Sequence, residues 1–122
     1  MEPRITIKED YILVEPQERD FWSVMESFGR LFLLPEYQNK NTIWLFHEGP
    51  LKITLNDLYK IKDFLIEHAP DDTRQFKKVA IVVETGLHAA MAEVYTKITK
   101  DLPREFMVFS SLQHAEAWIT DL

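Results

Sequence analysis

Two places along this chain gather side chains able to do chemistry. His47 and Glu48 follow the apolar run Ile43 to Phe46, and Glu84, Thr85 and His88 follow the apolar run Val79 to Val83. If the two runs are neighbouring parallel strands, these side chains meet at one rim. Two imidazoles and two carboxylates there are the donor set for general acid–base catalysis, or for a divalent metal such as zinc. The spacing is unspecific, since strand-end rims in α/β domains are polar in any case. Motifs of greater specificity are absent: the chain has no G-x-S-x-G elbow, no P-loop, no G-x-G-x-x-G and no H-E-x-x-H. With 3 glycines in all it has no phosphate-cradling loop, so no cofactor is expected. His68 and His114 read as helix-surface residues without a partner.

The elements that must position this rim are legible from hydrophobic periodicity. Val79 to Val83 is unbroken and β-branched, stops at Glu84, Thr85 and Gly86, and hands over to a helix-period segment. Phe106 to Phe109 repeats the pattern and leads into a last helix, for which Ser110 and Gln113 have capping-box spacing. Two consecutive strand-to-helix units with short joints imply parallel strands and an α/β domain. Upstream, alternating Ile5 to Ile7 and the wholly apolar Tyr11 to Val14 form an edge hairpin ended by Pro16. Asp20 then caps a helix that runs to Leu34 and stops at Pro35. After Ile43 to Phe46, Thr54 and Asp57 resemble a capping box for a helix expected to bury Leu55, Leu58, Tyr59, Ile61, Leu65 and Ile66, with Lys62 snorkelling from its apolar arc. The third helix is expected to bury Leu87, Ala90, Met91, Val94, Ile98 and Leu102, and to set His88 and Tyr95 on its border. The fourth turns Leu112, Ala115, Trp118, Ile119 and Leu122 inward. The element order is ββαβαβαβα. Four strands apolar on both sides require cover on both faces of the sheet, with two helices on each or one face left partly open.

In the first helix, Phe21, Val24, Met25, Phe28, Leu31 and Phe32 share the core arc. Trp22 and Leu33 fall on its flank with Gly29 between them. Either a loop such as Glu36 to Asn41 covers this second strip, or it is a subunit contact or part of an apolar ligand site.

Composition bounds the rest. A chain of 122 residues, 46% apolar, builds one core and one domain. A net charge of −6 lacks the basic footprint that binding to nucleic acid needs. The absence of cysteine removes disulfides and zinc–thiolate sites and suits a reducing compartment. No stretch approaches a membrane span, and Met1 to Asp10 has no apolar segment of the secretory kind, so a cytoplasmic protein is expected.

The order VAIVVETGLHAAMAEVY, a strand ending in VF, then SSLQHAEAWI resembles the SpoIIAA-like domain family, relatives of the STAS domains of sulfate transporters and anti-sigma factor antagonists. Val79 to Val83, Gly86, Met91, Tyr95, Val108, Phe109, Ala115, Ala117 and Trp118 carry the likeness, strictly over about a third of the chain. The resemblance implies a single SpoIIAA-like domain over residues 1–122, with a mixed, mostly parallel five-stranded sheet, about four helices and kinship in shape with lipid-binding CRAL-TRIO domains. The antagonists' phosphorylatable serine has no counterpart in HEGPLKITLND, where Thr54 serves as a cap, so a phosphorylation switch is not carried over. The function expected first is a non-enzymatic binding or regulatory module working through protein contacts, as a homodimer or with another protein. An alternative is a carrier of an apolar or lipid-like ligand, with Phe21, Trp22, Phe28, Phe32 and Tyr95 lining a pocket between helix and sheet. A second alternative is a hydrolase or metal site at the rim of His47, Glu48 and His88.

Overall fold

The computed structural model describes residues 3–18, 20–38, 40–47, 52–68, 77–83, 86–100 and 104–120, and within them leaves aside the side chains of residues 38, 68, 77, 86–89, 91 and 92. The chain forms an α/β structure with a five-stranded mixed sheet and four helices. Strands β1 (Arg4–Ile7) and β2 (Tyr11–Glu15) make the antiparallel edge hairpin, with Ile7 opposite Ile12 and Arg4 opposite Glu15. Helix α1 (Phe21–Leu31) and a 3-10 turn (Pro35–Gln38) lead to β3 (Asn41–Phe46). Next come α2 (Leu55–His68), β4 (Lys77–Val83), α3 (Gly86–Ile98), β5 (Arg104–Phe109) and α4 (Leu112–Thr120). The strands lie side by side in chain order, and β2 to β5 are parallel.

That order decides where the helices go. A crossover between parallel neighbours is right-handed in nearly every case, and here each crossover steps the same way across the sheet. All three crossover helices therefore land on one face. The packing agrees: Phe28 of α1, Leu58, Ile61 and Leu65 of α2, and Tyr95 of α3 share one core with Ile12, Val14, Trp44, Ile81 and Val83 of the sheet. Helix α4 follows the last strand and is bound by no crossover. It covers the opposite face alone, setting Ala115 and Ile119 against Tyr11, Leu13, Ile43, Ala80 and Val82. The sheet is thus covered by three helices on one side and one on the other.

Local chemistry fixes the helix starts. The Asp20 carboxylate accepts from the Ser23 N–H at 2.8 Å. Thr54 and Asp57 form a reciprocal capping box: the Asp57 N–H donates to Thr54 Oγ1 at 3.1 Å and the Thr54 N–H to Asp57 Oδ2 at 3.0 Å. The cap of α4 sits one residue later than the capping-box spacing suggests. It is Ser111, whose Oγ accepts from the His114 N–H, while Ser110 precedes the helix.

Other expectations are corrected by packing. Helix α1 ends at Leu31 rather than Leu34, and the Leu33 and Leu34 N–H groups bond three residues back, to Arg30 and Leu31, in a tightened last turn. Leu55, Tyr59 and Ile66 are exposed, because they sit roughly a quarter turn or more from the Leu58, Ile61, Leu65 stripe, and a helix laid on a sheet buries only a narrow stripe. Ala90 of α3 is exposed as well, whereas Tyr95 belongs to the core of that helix and not to its border. Lys78 on β4 reaches across to α4, donating to the Trp118 carbonyl at 2.9 Å with its ammonium over the Trp118 ring. No helix among the described residues is long and apolar enough to cross a membrane.

Candidate functional site

Strand alternation places Thr42, Trp44 and Phe46 of β3, Val79, Ile81 and Val83 of β4, and Arg104 and Phe106 of β5 on the face beneath α1, α2 and α3. Two aromatic pairs stand between that face and the helices. Phe28 of α1 meets Trp44 with ring centroids 4.6 Å apart, and Tyr95 of α3 meets Phe106 edge-on at 5.5 Å. Large rings at these two points and small side chains between them, Val24, Val79 and Val83, leave a space. It is a cavity of about 90 Å³ with almost wholly apolar walls.

Four polar residues reach it: Thr42, Tyr37, Tyr95 and Arg104. Arg104 opens β5 and is the only charged one among the described lining residues. Its Nη2 donates a long hydrogen bond of 3.4 Å to the Tyr37 hydroxyl, and its Nε is buried with no hydrogen-bond partner among the described residues. Burial pushes the Tyr37 phenol above its ordinary pKa, with the Arg104 charge pulling the other way. Burial does the same to Tyr95, again opposed by Arg104 and reinforced by Tyr37. Both phenols therefore stay protonated and able to donate at neutral pH.

The residues expected to carry chemistry are distributed differently. Phe46 and Val83 are paired across parallel neighbours, so the two strands do end together as expected. Glu48, Glu84 and Thr85 lie outside the described residues, as does the side chain of His88. His47 is exposed, and its partner is Glu15 at the end of β2, with Nε2 2.7 Å from Oε2. Sequence reading does not find Glu15, because the contact crosses from β3 to a strand 32 residues earlier. Among the described residues no group of three or more His, Cys, Asp or Glu is placed to hold a metal.

Of the aromatic residues expected to line a pocket, Phe28 and Tyr95 do so. Phe21, Trp22 and Phe32 do not: Phe21 and Phe32 pack at the edge of the core, and Trp22 points to solvent. Trp22 is 76% exposed and Leu33 83%, and Gly29 between them faces open space. The strip is thus uncovered by the described residues. Reading the last strand from Phe106 onward passes over Arg104, although the alternation Arg104, Phe106, Val108 is a signal that could have found it. Comparison with family models, curated proteins and solved structures finds no match to this chain.

Proposed function

We propose that the chain is a non-catalytic binding module of the SpoIIAA-like kind, acting in the cytoplasm, whose ligand is an apolar molecule lodged between the sheet and the layer of α1, α2 and α3. The observation that carries this reading is the cavity of about 90 Å³. Protein interiors are packed to crystal density, and an apolar void forfeits contacts that a ligand would restore. The resemblance to SpoIIAA-like domains and, in shape, to CRAL-TRIO domains supports the same direction. Titration with the neutral fluorophore N-phenyl-1-naphthylamine tests it. Wild-type protein should enhance the emission saturably, and the filled variant V24I/V83I should not; equal binding by both, or none by the wild type, would refute the reading.

A regulatory role through protein contacts is the second reading, and the exposed strip of Trp22, Gly29 and Leu33 favours it. Glu26 and Arg30 lie 3.8 Å apart on the same helix beside this strip. Two copies of α1 laid antiparallel would set Trp22 of one chain near Leu33 of the other, with Glu26 facing Arg30 and Gly29 allowing close approach. Light scattering after size exclusion should show a dimer that L33D converts to monomer. A strict monomer at high micromolar concentration would refute it.

A further inference from the structure

Resting on the cavity reading, we infer that the ligand is an amphiphilic monocarboxylate, an acyl or aryl acid whose tail fills the apolar space and whose head is held by Arg104 at the β5 end. Arg104 is a permanent cation with one N–H buried and unsatisfied, a state that proteins seldom tolerate. Among the described residues no carboxylate lines the cavity with it. Its hydrogen bond to Tyr37 is long, and the phenol that accepts it is neutral. A carboxylate satisfies this group as a neutral ligand cannot, because its oxygens accept charge-assisted bonds from the guanidinium while the Tyr95 phenol offers a further donor. A dianionic phosphate would need more positive charge than a single arginine supplies. A cationic head would be repelled.

The same residue also argues against a purely architectural role. A buried N–H kept for stability alone would have its acceptor within the chain, and Arg104 Nε has none among the described residues.

The test titrates the full chain by calorimetry with octanoate, 1-octanol and octylamine, which share one tail. Octanoate should bind about 10- to 100-fold more tightly than 1-octanol, the range of a charge-assisted hydrogen bond, and octylamine least. R104M should erase the octanoate advantage while leaving 1-octanol binding in place, and should raise the melting temperature of the empty protein by removing an unsatisfied buried N–H. Equal affinity for octanoate and 1-octanol in the wild type overturns the carboxylate inference and leaves the cavity reading standing. So does an octanoate preference that survives in R104M. Failure of all three probes to bind sinks the cavity reading itself. Because the headgroup comparison is made on wild-type protein, it stands even if R104M does not fold.

Discussion

Filling the cavity should stabilise the protein while destroying its capacity for ligand. At about 24 cal/mol per Å³, a space of about 90 Å³ corresponds to about 2 kcal/mol of forfeited stability. Val24 and Val83 are both buried and both line it, from α1 and from the end of β4. V24I and V83I each add one methylene and keep the β-branched shape, which the strand position of Val83 favours. Each buried methylene contributes about 0.8 kcal/mol, so the double variant should gain about 1.6 kcal/mol and recover most of the loss. Urea unfolding should show a higher midpoint with an unchanged slope, since the surface exposed on unfolding barely alters. Affinity for N-phenyl-1-naphthylamine should fall in parallel. Destabilisation by about 1 kcal/mol or more would mean that the walls already touch and the added methylenes overpack them, which would refute the cavity.

Alkaline pH should weaken the fold through Tyr11. Burial, then the hydrogen bond its hydroxyl donates to Glu116 and the charge of that carboxylate, push its pKa from 10.0 up to about 12. A folded pKa above the unfolded one means that the neutral phenol stabilises the folded state; that contribution is complete below pH 10 and is lost as pH rises to about 12. Y11F should therefore show a shallower decline of the urea midpoint over this window than the wild type, and an unchanged decline would refute the assignment. T54A removes the hydroxyl that caps α2 and should cost about 1 kcal/mol in urea unfolding, whereas T54S should cost much less. If both variants match the wild type, the reciprocal cap contributes nothing measurable.

The strand-to-helix alternation is legible because each element carries its own period. Val79 to Val83 is apolar on both faces, and so it must be an inner strand whatever its neighbours are. Asp20, Thr54 and Asp57 announce helix starts because a cap acts within a few residues of itself. Legibility fails where a residue's role depends on a distant partner. Arg104 beside Pro103 reads as connector, and only pairing with Lys77 on β4 extends the strand back to include it. Helix α2 shows a related limit. Its apolar residues spread over a wide arc, and periodicity alone does not say which part of that arc the sheet will bury.

By itself, then, the sequence determined the elements, their order and their α/β class, because propensity, capping and hydrophobic period are local properties. Tertiary structure decided the rest. Sequential strand order put three helices on one face and left α4 to cover the other, a consequence of crossover handedness that no single segment encodes. Strand pairing brought Glu15 to His47, a partner that no local pattern announces. The cavity exists only where aromatic pairs from α1, α3, β3 and β5 hold two layers apart, and Arg104 acquires its unpaired buried N–H only once those layers close around it.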